Sequence, residues 1–284
     1  MRILKISAVL WLCAGLAAAQ DFRVPENAVA GEDATISTSG GGKATFYLVG
    51  PGSARKADVA LGEEIRIGGA ELRTAGAYRV VMCAESCQSA SFYVSAAKPF
   101  SLAFLVHPSR VPVSQENAVS GVALPFDRFR NLVLAPQNVT FLLSAKNTAP
   151  LSHSGRTQDG VAWFRTASSK AAGPVQLFAS VEEISAKRAL QQVASDPCNL
   201  RINGQRTAGG VIVQTDPVHD CAGNIVPDGT VITFTATDAR GKDSVDAPVK
   251  QGVAKAKLEA AGPTIVSAAS GVVMGNELRI EAQR

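Results

Sequence analysis

The sequence predicts an all-β protein built from consecutive β-sandwich units, and three observations support this fold class. Apolar and polar residues alternate in short runs such as "VITFTAT" at 231–237, which is typical of strands with one buried face. Turn dipeptides such as Gly-Asn at 223–224 and Asp-Gly at 228–229 separate these runs, because glycine accepts positive φ. Two stretches also repeat each other about ninety residues apart, which is the size of a whole domain.

The internal repeat defines the two later units. The same triplet of Asp, Asn and Phe, spaced by four and ten residues, occurs at Asp127, Asn131 and Phe141 and again at Asp220, Asn224 and Phe234. Further on, "QDGVAWF" at 158–164 matches "KQGVAKA" at 250–256, and "AAGPV" at 171–175 matches "AAGPT" at 260–264. Because these matches keep one order, we interpret them as two similar domains. We expect both aspartates to be turn residues that accept hydrogen bonds from nearby backbone amides.

The N-terminal unit, residues 21–97, has a β pattern of its own. "KATFYLVG" at 43–50 is a β-rich run, and "GAYRVVMC" at 76–83 alternates in the same way. Tyr78 lies where immunoglobulin-like sandwiches carry a tyrosine corner, whose hydroxyl ties a strand to the preceding loop. An ordinary half-buried strand tyrosine is the alternative interpretation.

One segment of the chain has helical periodicity, "SVEEISAKRALQQVA" at 180–194. Its place in the repeat corresponds to "SAASGVVMGNELRI" at 267–280. We therefore predict a strand, a turn and a second strand here rather than a helix.

Residues 1–20 have the order of a secretory signal peptide. A basic start precedes an apolar run and a stretch of alanines, and we predict cleavage after Ala19 or Gln20. The run is shorter than the ~20 residues that span a bilayer. A lipid anchor at Cys13 is the alternative, but the bulky residue before it suits that processing poorly. We therefore expect an exported protein, whether periplasmic, cell-surface or secreted, with no membrane span in its mature part.

The domains that follow the signal peptide are predicted at 21–97, 98–196 and 197–284. The linkers "AAKPF" at 96–100 and "ASDPCN" at 194–199 are short and contain proline, so we expect stiff joints and a rod. Without the leader the formal charge falls from +4 to +2, because two basic and no acidic residues are removed. Such a small charge argues against nucleic acid as a partner.

Four cysteines lie outside the leader: Cys83, Cys87, Cys198 and Cys221. An even number in an exported chain favours two disulfides, and three pairings are possible. Closeness in sequence favours Cys83–Cys87 and Cys198–Cys221. Zinc is the alternative, but the three histidines show no ligand spacing to the cysteines. We expect no metal and no cofactor.

The two later units resemble the bacterial immunoglobulin-like domains (group 1) of invasin- and intimin-type proteins. The resemblance rests on "DCAGNIVPDGTVITFTAT" at 220–237, "KQGVAKAKL" at 250–258 and "AAGPTIVSAASG" at 260–271, and it covers about 106–284. The middle unit departs from it, with "FRNLVLAPQNVTF" at 129–141 where Pro-Asp-Gly-Thr is expected. The resemblance implies non-catalytic spacer domains that hold an adhesive tip away from a cell.

No catalytic motif is recognised in the sequence. Ser152, His153 and Ser154 are neighbours, but sequence neighbours seldom form a triad, and no Gly-x-Ser-x-Gly elbow is present. His219 beside Asp220 suggests a base and its orienting partner, yet the repeat has an aspartate at that place without a histidine. We therefore expect no enzyme.

Two binding hypotheses remain open. Calcium is one, because four acidic residues lie in loops of the last unit, but they match no calcium motif: Asp216, Asp220, Asp228 and Asp238. The other is a candidate interaction loop in which aromatic and basic residues alternate: Phe126, Arg128, Phe129 and Arg130. A solvated loop anchored by one phenylalanine is the alternative for the second.

Together these features predict a non-catalytic exported protein of tandem immunoglobulin-like domains. It would act as a structural or adhesion-type interaction module, with a protein or a surface glycan as its partner. A carbohydrate-binding accessory protein is the alternative, which requires exposed aromatic residues in a planar row. Trp163 is the single tryptophan outside the leader.

Overall fold

A computed structural model describes residues 21–146 and 148–282, and within these residues the secondary structure consists of strands and turns without a helix. The predicted signal peptide and Cys13 lie outside the described residues. By contacts the described chain divides into two compact units. Unit 1 contains the residues up to Lys98 together with Phe126–Val133, and unit 2 contains Pro99–Pro125 and the residues from Leu134 onward.

Unit 1 holds the first sandwich, which has eight strands: β1 (Phe22–Arg23), β2 (Ala28–Val29), β3 (Ala34–Thr38), β4 (Lys43–Gly50), β5 (Ser53–Ala60), β6 (Glu64–Ile67), β7 (Gly76–Cys83) and β8 (Cys87–Ser95). They form a three-stranded sheet of order β1-β3-β6 and a five-stranded sheet of order β2-β8-β7-β4-β5. One core lies between the two sheets, where the predicted alternation places it. It contains Ile36 and Ile67 from the first sheet, and Phe46 and Val80 from the second.

Unit 2 contains a second sandwich, whose strands are β9 (Ser101–His107), β10 (Arg110–Pro112), β11 (Val119–Phe126), β12 (Asn138–Ala145), β13 (Leu151–Arg156), β14 (Ala162–Thr166), β15 (Gly173–Val181) and β16 (Ile184–Val193). The last residue of β11, Phe126, is the one strand residue among these that belongs to unit 1. The sheets have the orders β14-β11-β9 and β10-β16-β15-β12-β13. Phe104, Phe141 and Phe164 meet in the core between them, where the ring centroids of Phe141 and Phe164 are 4.6 Å apart.

The third sandwich also lies in unit 2. Its strands are β17 (Pro197–Asn199), β18 (Ile202–Thr207), β19 (Gly210–Thr215), β20 (His219–Asp220), β21 (Val231–Asp238), β22 (Gly241–Pro248), β23 (Lys255–Leu258), β24 (Thr264–Ser270), β25 (Val273–Met274) and β26 (Leu278–Ile280). One sheet has the order β18-β19-β23, and in the other β24 pairs with β21, β25 and β26. Ile232 and Phe234 are buried between these sheets, as the alternation at 231–237 predicted.

The structure confirms the prediction of strand, turn and strand at 180–194. β15 ends at Val181 and β16 begins at Ile184, and Glu182 in the turn has a φ of 49°. Packing against the second core decides between the two periodicities, because only an extended chain buries Leu190 and pairs it with Val175. The domain boundaries at 97 and 196 remain a prediction about folding units. The buried residues of the three cores fall inside those boundaries, whereas Phe129, from the predicted range 98–196, packs against the first core.

Candidate functional site

A network of hydrogen bonds in unit 2 centres on the loop that carries Asp220 and Asn224, which we call the second Asp-Asn loop (220–224). Asp220 is 4% exposed. Its Oδ1 accepts hydrogen bonds from the amides of Ala222 and Asn224, both at 2.9 Å, and its Oδ2 accepts one from the Ser195 amide at 3.0 Å. Burial raises the pKa of Asp220, but these donors together hold that pKa below its ordinary value. The buried charge is thus satisfied by these backbone amides.

Asn224 reaches from the third sandwich to the second. Its Nδ2 donates to the carbonyl oxygen of Lys170 at 2.7 Å, and its Oδ1 accepts from the amide of Ala172 at 2.9 Å. Nδ2 also contacts both oxygens of Asp220, which therefore orients the amide group. The short linker is tied in as well, because Ser195 Oγ donates to the carbonyl oxygen of Val113 at 2.8 Å.

Unit 1 contains the same arrangement in the first Asp-Asn loop (127–131). Asp127 is 1% exposed, and its Oδ1 accepts from the amides of Phe129 and Asn131 at 2.8 and 2.9 Å. Its Oδ2 accepts from the linker amide of Ala97 at 3.0 Å. The Asn131 side chain donates to the carbonyl oxygen of Arg73 at 2.8 Å, and it accepts from the Ala75 amide at 2.9 Å. The prediction that both aspartates bind nearby backbone amides is confirmed.

Both predicted disulfides are present. Cys83 and Cys87, with Cα atoms 4.1 Å apart, close the end of the β7–β8 hairpin. Cys198 and Cys221, with Cα atoms 4.8 Å apart, join β17 to the second Asp-Asn loop. The second bond therefore reinforces the same linker that Asp220 holds.

The tyrosine corner predicted at Tyr78 is confirmed. The Tyr78 hydroxyl donates to the carbonyl oxygen of Thr74 at 3.0 Å and lies 3.4 Å from that of Glu71. The ring is 1% exposed, which excludes the half-buried alternative.

The four residues of the candidate interaction loop differ in burial. Phe126 and Phe129 are partly buried, and Phe129 packs against the first core so closely to Gly31 that a side chain there would collide with the ring. The guanidinium of Arg73 lies 5.9 Å from the centre of that ring. Arg128 and Arg130 are exposed. Phe129 therefore anchors unit 1, and the interaction hypothesis for this loop remains a prediction that depends on its two arginines.

The two histidines considered for chemistry, His153 and His219, have structural contacts. His153 stacks on Phe164 with ring centroids 5.6 Å apart, and His219 Nδ1 lies 2.8 Å from the carbonyl oxygen of Pro217. The four aspartates considered for calcium accept hydrogen bonds from separate donors. The Asn203 side chain donates to Asp216, and the loop amides donate to Asp220. The Gln251 amide donates to Asp228, and the amides of Arg240 and Ala261 donate to Asp238. Within 21–146 and 148–282, no three His, Cys, Asp or Glu side chains gather as metal ligands do.

Two open surfaces of unit 2 could receive a partner. A cleft of about 640 Å³ in the third sandwich is lined by polar residues that include Asp216, Lys250 and Lys255. In the second sandwich the outer face of the β14-β11-β9 sheet exposes 71% of Trp163 and 60% of Leu105. Across that sheet Trp163 is paired in register with Val122. In the part of the chain that the structure describes, no helix has the length and apolar character to cross a bilayer.

Comparison with solved structures shows which fold this is. The Escherichia coli adhesin FdeC superposes with a TM-score of 0.65 at 14% identity, over 93% of this chain and 97% of that one. Invasin, a bacterial integrin-binding protein, superposes with a TM-score of 0.51 at 10% identity over 93% of this chain, which spans 60% of the invasin chain. No protein-family model matches the sequence, and no curated protein matches it significantly. The chain has the tandem immunoglobulin-like β-sandwich fold of FdeC and invasin, as the resemblance predicted.

Proposed function

We propose that this chain is a non-catalytic, exported protein of the adhesion type, whose sandwiches hold a binding surface in place. The single observation that carries the proposal is the fold likeness to FdeC, an adhesin, which extends over nearly the whole of both chains. The fold likeness to invasin, an integrin-binding protein, supports the same proposal. The partner in this proposal is a protein or a glycan on a cell surface.

The use of the polar side chains supports a structural role rather than catalysis. Asp127 and Asp220 are buried and bound to backbone amides, and His153 is stacked on a core phenylalanine. A general base or nucleophile must instead be free to meet a substrate proton or a reacting atom. Both aspartates are thus engaged in holding loops, and the His153 ring is engaged in packing against Phe164.

The outer face of the β14-β11-β9 sheet is the surface we favour for partner contact. Large apolar residues that remain exposed on the outer face of one sheet, such as Trp163 and Leu105, are found at contact surfaces. Tryptophan contributes strongly to protein interfaces, because its ring buries a large area and its indole nitrogen still donates a hydrogen bond.

A carbohydrate-binding accessory protein is the second candidate, and the exposure of Trp163 is the observation that favours it. Sugar rings stack on exposed aromatic faces. The exposed aromatic residues Tyr93, Phe100 and Trp163 lie in β8, in the linker after it and in β14. Because these positions belong to different sheets or to a linker, they do not support the planar row that this function requires.

One binding experiment separates the two candidates. Beads coated with the full chain are tested on intact cells, on cells treated with protease, and on a glycan array. We expect adhesion that protease treatment removes and that Trp163→Ala weakens at least several-fold, whereas Tyr93→Ala, an exposed aromatic of unit 1, leaves it unchanged. Glycan-array binding that depends on Trp163 would favour the second candidate, and turnover of a substrate by the purified chain would overturn both.

Export is tested separately. We expect the N-terminus of the protein recovered outside the cytoplasm to follow Ala19 or Gln20. Recovery of the uncleaved chain from the cytoplasm alone would contradict this part of the proposal.

A further inference from the structure

The two Asp-Asn loops bind corresponding parts of two sandwiches. Asn131 binds the carbonyl of Arg73, three residues before Gly76 at the start of β7, and the amide of Ala75, one residue before it. Asn224 binds the carbonyl of Lys170 and the amide of Ala172, which have the same spacing before Gly173 at the start of β15. Gly76 and Gly173 have φ values of 142° and 141°. We call these two segments, 73–76 and 170–173, the receiving segments.

We propose that the Asp-Asn loop and the receiving segment form a module-joining interface, in which each loop recognises an immunoglobulin-like sandwich by its backbone rather than by its side chains. The inference is independent of what the protein binds. Asn131 and Asn224 each contact one carbonyl and one amide, so Arg73 and Lys170 can differ in identity without changing the contact. An asparagine side chain suits this task because it carries an acceptor and a donor side by side.

The aspartate of each loop makes the asparagine ready to bind. Asp127 and Asp220 each hold the asparagine amide group and the linker amide with one carboxylate. The loop backbone is also closed, since the Asp220 amide donates to the Asn224 carbonyl at 2.9 Å and the Asp127 amide to the Asn131 carbonyl at 3.0 Å. Little conformational freedom is left to lose when the joint forms.

In the third sandwich the amide that corresponds to those of Ala75 and Ala172 also binds a side-chain oxygen. By the repeat, Glu259–Gly262 corresponds to the receiving segments, and here the Ala261 amide donates to Asp238 Oδ2 of the same sandwich at 2.7 Å. An amide at this position therefore takes a side-chain oxygen in all three sandwiches. In the first two the oxygen comes from an Asp-Asn loop, and in the third from Asp238.

The first sandwich differs in the corresponding connection, between β3 and β4. That connection, residues 39–42, reads Ser-Gly-Gly-Gly and contains neither an aspartate nor an asparagine. The first sandwich thus has a receiving segment and no Asp-Asn loop, and the second sandwich has both. The third sandwich has an Asp-Asn loop, but its segment corresponding to the receiving segments is bound by its own Asp238.

The test is amide hydrogen exchange on the full chain with Asn224→Ala, together with small-angle X-ray scattering. We expect exchange at the Ala172 amide to accelerate roughly tenfold, because its acceptor is lost, and the scattering distance distribution to broaden. The matched control is Asn203→Ala, which removes an asparagine whose bond to Asp216 stays inside the third sandwich. In that control, exchange at Ala172 should not change.

Asn131→Ala is the second variant and should accelerate exchange at Ala75 in the same way. It keeps the proposal testable if Asn224→Ala lowers protection of the third core as well. Unchanged exchange at Ala172 in the first variant, or equal acceleration in the Asn203→Ala control, would overturn the proposal.

Discussion

Cys198 is bonded to Cys221, and Cys221 immediately follows the aspartate of the second Asp-Asn loop. The linker at 194–199 is therefore attached to this loop twice, by the disulfide and by the hydrogen bond from the Ser195 amide to Asp220. The covalent bond shortens the distance over which the loop can separate from the linker.

Removing this disulfide should loosen the joint between the second and third sandwiches. For Cys198→Ser/Cys221→Ser, whose cysteines are 23 residues apart, the chain-entropy model gives a loss of about 3 kcal/mol in the free energy of unfolding. We expect a lower Tm and faster proteolysis within 194–199. Cys83→Ser/Cys87→Ser is the control, with a loss of about 2 kcal/mol confined to unit 1. Unchanged melting and proteolysis in the first variant would refute a role for this bond.

The joint between the second and third sandwiches should weaken in acid. The pKa of Asp220 is lowered in the folded state, so its contribution to stability is complete above the ordinary aspartate pKa and is lost as the pH falls through the lowered value. We therefore expect small-angle scattering to show a broader distance distribution below about pH 4. Asp220→Asn cannot lose a charge there, so its scattering should not change over the same range. A wild-type response identical to that of Asp220→Asn would contradict this prediction.

Tyr78→Phe should destabilise unit 1 without affecting unit 2. The substitution keeps the buried ring but leaves the Thr74 carbonyl without its donor, which costs about 1 kcal/mol. Thermal unfolding followed by hydrogen exchange in β7 measures the effect. Tyr93→Phe changes a ring that is half exposed on the neighbouring strand, and we expect little loss from it. If the two variants melt alike, the corner contributes nothing to stability.

Arg130→Gly should stabilise the first Asp-Asn loop. Arg130 has a φ of 69° and takes the place that Gly223, with a φ of 86°, has in the second loop. A side chain in this left-handed region costs about 1–2 kcal/mol, of which the greater freedom of glycine in the unfolded chain cancels part. We expect a net gain of about 0.5 kcal/mol, measured by denaturant unfolding. Arg128→Gly, at a neighbouring exposed position, should not stabilise the protein, and a gain of equal size there would contradict the explanation.

Phe234→Ala should test whether the third core folds on its own. The ring is fully buried, so its removal should cost about 3–5 kcal/mol. If the proposed boundary at 196 separates two folding units, hydrogen exchange should accelerate in β21 and β24 while Leu177 in the second core keeps most of its protection. Equal acceleration in both cores would show that they unfold together.

The sequence was informative wherever the relevant interaction is local. Alternation along β21, the turn after Val181 and the bond between Cys83 and Cys87 all depend on residues a few positions apart. The same holds for the hydrogen bonds that Asp220 accepts from the amides of its own loop. Patterns of this kind can be read directly, because strand period and turn geometry act over short stretches of chain.

The partners of Asn224 were not predicted from the sequence, although the repeat had singled out this residue. Lys170 and Ala172 lie more than fifty residues earlier and contribute only backbone groups, which leave no pattern of residue types. The same reason applies to Phe129, because its packing on the first core joins residues that are far apart in sequence. The sequence alone therefore left open whether this ring is a contact residue or the anchor of its loop.

By itself the sequence determined the class of the protein: sandwiches whose strands bury alternate residues, and a repeated loop. It also favoured the two disulfides through the closeness of the cysteines in the chain. The tertiary structure alone decided which backbone groups each repeated asparagine binds and which aromatic rings remain exposed. The physical reason is that burial and hydrogen bonding between distant segments depend on the register in which sheets and loops meet, and that register is a property of the folded chain rather than of any short stretch of it.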